Sequence, residues 1–259
     1  MRLATFNMLH GRSLADGRFD ERRLAAAIAG LDVDVLALQE VDRGQSRSEL
    51  LDQTAVAADA LGAAHHRFAA AVVGTPGEVF RASQHDDDGV DEPNYGIGLV
   101  SRYPVRSWRV TRLRSAPVRS PVIVPGPGGG LILLRDEPRV LLAAILDTPY
   151  GDVTVAATHL SFVPGWNIRQ LRSSVRALRA LPGPRVLLGD LNLPGRVAGL
   201  VSGWRMLGRL PTYPSPAPRV QLDHVLADPR GGGALPPVTA VTTPETTVSD
   251  HRPLVVQLG

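Results

Sequence analysis

The chain has 259 residues, 44% of them in the AVILMFWYC group and 20% charged, which is enough apolar material for a large core and excludes wholesale disorder. Cysteine and lysine are both absent, which excludes a disulfide framework, a thiolate metal site, a cysteine nucleophile and lysine-based Schiff-base or general-base chemistry. Net charge is +3, from 28 basic and 25 acidic residues, a weak electrostatic argument for a nucleic-acid partner.

The N-terminus runs straight into a predicted strand over Arg2–Asn7 with no apolar signal region, so a cytoplasmic chain is expected. A helix is predicted over Glu21–Leu31, where Leu24, Ala27, Ile28 and Leu31 recur at helical spacing. Strand Val33–Gln39 follows, then a helix over Glu49–Leu61 with Ser48 as its N-cap. His65-His66-Arg67 begins another strand, and Tyr95–Ser101, Arg139–Leu146 and Val153–Thr158 are strands as well. The helix Asn167–Leu181 places Ile168, Leu171, Val175, Leu178 and Leu181 on one stripe, with arginines elsewhere. Strands Arg185–Gly189, Gln221–Leu226 and Pro253–Leu258 complete the chain. The longest apolar run, Val140–Leu146, is strand length and well short of the roughly 18 residues of a membrane helix. Two stretches read as surface excursions: the acidic Gln84–Pro93, with Asp86-Asp87-Asp88, and the Pro/Gly-rich Ser115–Gly130. Strands outnumber helices and their order is irregular, which predicts a layered α+β fold rather than a doubly wound parallel sheet, as one domain over residues 1–259.

Polar residues gather where apolar runs end. Asn7 ends the first strand, Glu40 the second, and His159 follows Val153–Thr158. Asp190 and Asn192 close Arg185–Gly189 and, if the segment stays extended, point to one side. Asp223-His224 and Asp250-His251 add two more pairs, and alternation turns His224 away from Asp223. Taken singly, a carboxylate after a strand is a solvated loop residue and a histidine there a hydrogen-bonded structural one. Six such ends in one chain carry the weight. Hard oxygen donors suit Mg²⁺ or Mn²⁺, and zinc finds no HExxH spacing. Ser249-Asp250-His251 is not a relay triad, because adjacent residues do not form that geometry.

Thr5-Phe6-Asn7, Leu38-Gln39-Glu40-Val41-Asp42, Thr158-His159-Leu160, Gly189-Asp190-Leu191-Asn192, Leu222-Asp223-His224-Val225 and Ser249-Asp250-His251-Arg252-Pro253 together resemble the endonuclease/exonuclease/phosphatase superfamily. Asn94–Pro104 and the Arg169-Gln170 pair support the likeness, and the motifs follow the family's order from residue 5 to 253. The resemblance implies a four-layer α/β sandwich, two packed mixed β-sheets flanked by helices, with the site at one rim. It implies a Mg²⁺- or Mn²⁺-dependent phosphoester hydrolase. Glu40 would be the principal metal carboxylate, with Asn7 and Asp250 close by. Asp190 would orient or deprotonate the attacking water, and Asn192 would hold the phosphate. His251, oriented by Asp223, would contact the scissile phosphate, with His159 as a second imidazole.

Leu9 stands where the abasic-site nucleases of the family carry an Asp, which counts against that branch. Asn7-Met8-Leu9-His10-Gly11, with the later Asp16-Gly17 turn, looks more like bacterial members that shade toward sphingomyelinase-like phosphodiesterases. His10 is read as structural or as part of the site rim. The expected substrate is a phosphoester: nucleic acid, if Arg102, Arg106, Arg109, Arg112, Arg114 and Arg119 form a basic flank, or a phospholipid headgroup or inositol phosphate, if Val122, Ile123 and Val124 form an exposed apolar loop. A non-catalytic binding module is the remaining class, and the presence of Glu40, Asp190 and His251 speaks against it. No stable protein partner is implied, so a monomer is expected. Asp86-Asp87-Asp88 lacks EF-hand spacing, Arg169, Arg172, Arg176 and Arg179 form a solvated helix face, and Trp166 and Trp204 read as packing residues.

Overall fold

The computed structural model describes residues 1–84, 92–124 and 130–259, with backbone alone at 119–124 and 131–134. In chain order its strands are β1 (Arg2–Asn7), β2 (Val35–Arg43), β3 (His65–Gly74), β4 (Phe80–Ala82), β5 (Asn94–Ser101), β6 (Val105–Leu113), β7 (Arg119–Val124), β8 (Gly130–Arg135), β9 (Arg139–Thr148), β10 (Gly151–His159), β11 (Arg185–Asp190), β12 (Arg205–Met206), β13 (Asp223–Ala227), β14 (Val238–Thr242) and β15 (Leu254–Leu258). Helices are α1 (Glu21–Ala29), α2 (Gln53–Leu61), α3 (Trp166–Arg179) and α4 (Val197–Ser202). One mixed sheet runs β14-β15-β1-β2-β5-β3-β4, a second β12-β13-β11-β10-β9-β6, and β7-β8 form a separate ribbon.

Strand alternation builds four layers. Leu3, Val35 and Ala37 of the first sheet share a core with Leu142, Val155, Val186, Leu188 and Val225 of the second. The intervening residues face outward onto helices. Ala4, Phe6, Leu36 and Leu38 meet Leu24 and Ile28 of α1 and Ala57 and Leu61 of α2. Ala156, Leu187 and Leu226 meet Leu171, Val175 and Leu178 of α3 and Ala198 of α4. The fold is therefore two packed mixed β-sheets flanked by helices, as predicted.

Local chemistry corrects several predicted boundaries. α2 starts at Gln53, not Glu49. Asp52 is the N-cap, its carboxylate accepting from the Thr54 and Ala55 amides. Upstream, Glu49 and Leu50 hold left-handed φ of 59°, which no helix tolerates, and Ser48 donates to Asp42 Oδ2 instead. α1 ends at Ala29, two residues early, with Gly30 at its C-cap. Ser115–Gly130 is no simple loop, because Arg119–Val124 pairs antiparallel with Gly130–Arg135. The Asp86-Asp87-Asp88 run and Pro125–Gly129 lie outside the described residues. Among the described residues, no helix is long and apolar enough to cross a membrane.

Candidate active site between the two sheets

Alternation places the polar strand ends on the inner faces, at one rim of the sandwich. β1 turns Leu3 and Thr5 inward, so Asn7 follows them inward. In the second sheet His159, Asp190 and Asp223 are register partners on adjacent strands, His159 opposite Asp190 and Asp190 opposite Asp223. They form one row facing the Asn7 end of the first sheet.

Glu40 needs a different device. Its neighbours Leu36 and Leu38 face α1 and α2, so simple alternation would send Glu40 there too. Instead Gln39 pairs with Ile97 and Val41 with Gly96, leaving Glu40 as an unpaired bulge residue at φ 56°. Val41 takes the helix-side place, and the Glu40 carboxylate is re-aimed at Asn7. Left-handed φ values recur at Asn192 (49°) and Ser249 (73°), in the segments that deliver Asp190 and His251. Asp190 and Asn192 therefore do not lie on an extended segment. The Asn192 amide donates to Asp190 Oδ1 at 2.9 Å in a local turn, and its side chain reaches back toward His159.

The predicted residues converge on Asp190. Asn7 Nδ2 lies 3.1 Å from both Asp190 Oδ2 and Glu40 Oε1, linking the two sheets. The same Asp190 oxygen stands 3.6 Å from His159 Nε2 and 3.9 Å from His251 Nε2. Behind His251, Nδ1 donates to Asp223 Oδ2 at 2.9 Å, and Thr212 Oγ1 donates to that oxygen at 2.6 Å. Ser249 Oγ donates to Asn7 O and accepts from the His251 amide, fixing the loop between the sheets. Tyr213 packs on the His251 ring, with centroids 4.9 Å apart. Asn192 Nδ2 donates to Leu160 O at 3.0 Å. Asp250 is half-buried beside Glu40, and the two carboxylates repel.

Burial and charge divide the titration of these groups. Burial raises Asp190 to about 6, with His251 opposing and Asp223 adding to the shift. Burial likewise raises Glu40 to about 7, the Asn7 hydrogen bond opposing and Asp250 adding. Burial alone would lower His251, but the Asp223 carboxylate outweighs it and raises the ring to about 10. His159 moves the other way, held well below 6.5 by burial and then by Arg139.

Thr212 and Arg139 are site residues that sequence reasoning missed. Arg139 Nη1 lies 3.1 Å from His159 Nδ1. One signal was available for it: a charged residue leads a buried strand whose neighbour ends in His159. Thr212 lies in a loop and carries no such mark. His224 faces the helix layer as alternation requires, with Nε2 2.7 Å from Leu193 O. Three of the six arginines of the expected basic flank are engaged elsewhere, while Arg109 and Arg114 are exposed. Arg102 bonds Leu61 O and Asp32, Arg106 pairs with Asp147 and Asp152, and Arg112 donates to Ala70 O and Gln84 O. The Arg119 side chain lies outside the described residues. Trp204 is buried, and Trp166 donates to Arg114 O under the Arg169 guanidinium.

The chain is similar to solved structures over its whole length. An endonuclease/exonuclease/phosphatase from Beutenbergia cavernae shares 26% identity at a TM-score of 0.66, covering 100% of this chain and 72% of that one. Sphingomyelinase C from Streptomyces griseocarneus aligns at 16% identity and TM-score 0.62, covering 100% and 99%. The mannosyl-6-phosphatase of Bacteroides thetaiotaomicron aligns at 15% and 0.61, covering 100% and 99%. A search of curated proteins by sequence finds no match. The sequence profile of the Endonuclease/Exonuclease/phosphatase family matches residues 4–251, nearly the entire chain. With the motifs in order, the two-sheet sandwich and the rim site all in place, the chain belongs to the endonuclease/exonuclease/phosphatase family, whose members are generally hydrolases acting on phosphoesters.

Proposed function

We propose that the chain is a Mg²⁺- or Mn²⁺-dependent phosphoester hydrolase acting on phosphodiesters. The observation that carries this reading is the sharing of Asp190 Oδ2 among Asn7, His159 and His251, which puts a carboxylate and two imidazoles around one reaction volume. Phosphoester hydrolysis needs a base for water, donors for the phosphoryl oxygens and a proton for the leaving oxygen. With its carboxyl near 6, Asp190 is ionised at neutral pH and accepts the proton of the attacking water. His251, raised to about 10, is an imidazolium at neutral pH. Its Nε2–H donates to the phosphate and delivers the proton as the P–O bond to the leaving group breaks. Asn192 and His159 hold the phosphoryl oxygens. Water is the nucleophile, so no covalent enzyme intermediate is needed.

The residues fit a hard divalent cation. Glu40 and Asp250 offer carboxylate oxygens, and Asn7, whose Nδ2 faces Glu40 and whose Oδ1 accepts from the Leu9 amide, would turn its amide oxygen to the ion. Glu40 is pushed up to about 7 by burial and by the repulsion of Asp250, a carboxylate pair that a cation would relieve. Bound there, the ion supplies positive charge against the phosphate. Asp190, Asp223 and His251 also cluster, with ligand atoms within 4.8 Å of one another. Within that cluster, however, Asp223 and His251 are already joined by a hydrogen bond, and an imidazolium ligates nothing.

A second reading, phospholipid-headgroup hydrolysis, is favoured by the β7–β8 ribbon. It leaves β6 at Leu113 and returns into β9 at Arg139, register partners at the His159 rim, and its sequence is rich in Val, Ile and Leu. The structural likeness to a sphingomyelinase C fits this reading, whereas the likeness to a mannosyl-6-phosphatase extends the candidates to monoesters. A hydrolysis panel tests all three, with plasmid DNA, RNA, sphingomyelin, inositol phosphates, a sugar phosphate and bis-p-nitrophenyl phosphate in Mg²⁺ and Mn²⁺. Diester cleavage lost with EDTA and in Asp190→Asn is the expected result. Cleavage of monoesters alone would overturn the diester reading, and activity unchanged in Asp190→Asn would overturn the site.

A further inference from the structure

We infer that Arg139 is a positioning residue that fixes His159 as a neutral imidazole with its proton on Nε2, so that His159 serves the phosphate as a fixed hydrogen-bond donor. The inference deepens the proposed hydrolase reading and rests on it for the role, but not for the tautomer.

The argument starts from what a guanidinium can do. Arginine carries five N–H donors, accepts nothing and stays protonated throughout the accessible pH range. Arg139 Nη1 stands 3.1 Å from His159 Nδ1, and both side chains are buried. The ring nitrogen must therefore accept, which requires its lone pair and leaves the ring proton on Nε2. A doubly protonated ring would set two donors and two positive charges against each other in a buried space. Arg139 is itself held in place. Its Nη2 lies 3.8 Å from Asp136 Oδ1 and 3.7 Å from Glu137 Oε2. Asp136 in turn accepts from the Ala116 amide at 2.6 Å.

The far side of the ring agrees. Nε2 stands 3.6 Å from Asp190 Oδ2, longer than a hydrogen bond, with a carboxylate oxygen rather than a donor on that side of the ring. Asn192 Nδ2 donates one N–H to Leu160 O at 3.0 Å and lies 3.4 Å from Nε2, and with the ring proton placed on Nε2 by Arg139 that second approach is a contact between donors rather than a hydrogen bond. His251 has the opposite arrangement, with a carboxylate rather than a guanidinium on its Nδ1. The two imidazoles sit on one carboxylate oxygen, and their second partners give them opposite tasks.

The test reads the tautomer directly. Long-range ¹⁵N–¹H spectra of the metal-free chain are recorded, with the His159 signals among the seven histidines assigned by their loss in His159→Gln. The expected result is a pyridine-type Nδ1 and a pyrrole-type Nε2 that persist through neutral pH. A pyrrole-type Nδ1, or a doubly protonated ring at neutral pH, would overturn the inference whatever the substrate proves to be. Arg139→Met should release the ring to exchange between tautomers; an unchanged spectrum would again overturn it. Should Arg139→Met fail to fold, the side-chain pair decides. Glutamine can place an amide N–H near the position of Nε2 and asparagine cannot. On whichever phosphoester the chain cleaves, His159→Gln should keep kcat about 10-fold or more above His159→Asn, with KM little changed. Equal losses in the two variants would sink the donor role.

Discussion

The Asp223–His251 pair shows how much of the site one buried residue controls. His251 Nδ1 donates to Asp223 Oδ2, which Thr212 Oγ1 also serves, and the ring is raised to about 10 against an ordinary 6.5. A base raised in this way binds its proton more tightly folded than unfolded. Its contribution to stability is fully present below about pH 6.5 and is lost as the pH climbs toward 10. Asp223→Asn removes the charge that opposes desolvation. Chemical denaturation midpoints should then fall less steeply between about pH 7 and about pH 10 than in the wild type, and kcat should drop by about 100-fold as the imidazolium is lost. A slope as steep as that of the wild type would remove His251 from the role of protonated partner. At this scale the sequence was legible wherever a side chain ends an apolar strand, because alternation alone aims it. Asn7, His159, Asp190 and Asp223 were readable for that reason. Thr212 and Arg139 act through partners 11 and 20 residues away, and no local pattern encodes such a contact.

Among the elements, two departures from simple periodicity set the site. The bulge at Glu40 inverts the facing of β2, and the turn at Asn192 folds the end of β11 back on itself. Neither shows in an apolar count, because each consists of one residue in a left-handed conformation. The α2 boundary was misread for a related reason. Ser48 and Asp52 are both capping residues, and only tertiary structure commits Ser48 to Asp42. Asp52→Ala should therefore cost about 1 kcal/mol in urea denaturation, from the lost cap on the Thr54 and Ala55 amides, with its exposed Arg43 ion pair adding little. Gly189 stands beside the candidate site. A Cβ there would strike Thr158 O on the neighbouring strand, one step before the His159–Asp190 pair. Gly189→Ala should cost about 2 kcal/mol of overpacking and force β10 from β11, so that activity falls further than the stability loss explains at a temperature where the variant is folded. Full activity in a destabilised Gly189→Ala would show that the His159–Asp190 spacing is not critical.

At the scale of the molecule, the site joins two sheets that also meet through an apolar core and through the Arg112–Ala70 O bond from β6 to β3. Asn7 reaches from the first sheet to Asp190 on the second, and Ser249 ties the loop carrying Asp250 and His251 to Asn7 O. The layered class was legible because strand alternation and helix stripes assign each apolar residue to one of three core seams. The pairing order was not, since register and crossovers depend on contacts across the whole chain. Glu40 and Asp250 leave negative charge at this junction, so a divalent cation bound by Glu40, Asn7 and Asp250 would favour the folded state by mass action. At a hundredfold excess over Kd the gain is about 2.7 kcal/mol, which for a chain of this size raises the thermal midpoint by roughly 5–10 °C. Thermal unfolding in EDTA, Mg²⁺ and Mn²⁺ checks this, with Glu40→Gln as the control. The variant should lose the metal-induced rise. In EDTA at about pH 8 it should also be at least as stable as wild type, because burial raises the Glu40 carboxyl to about 7 and the ionised form opposes folding above that value. That advantage should fade as the pH falls through 4.5, below which the carboxyl is protonated in both states. A metal-induced rise that survives intact in Glu40→Gln would move the cation away from the junction of the sheets, and the Asp190–Asp223–His251 cluster would be the next place to look.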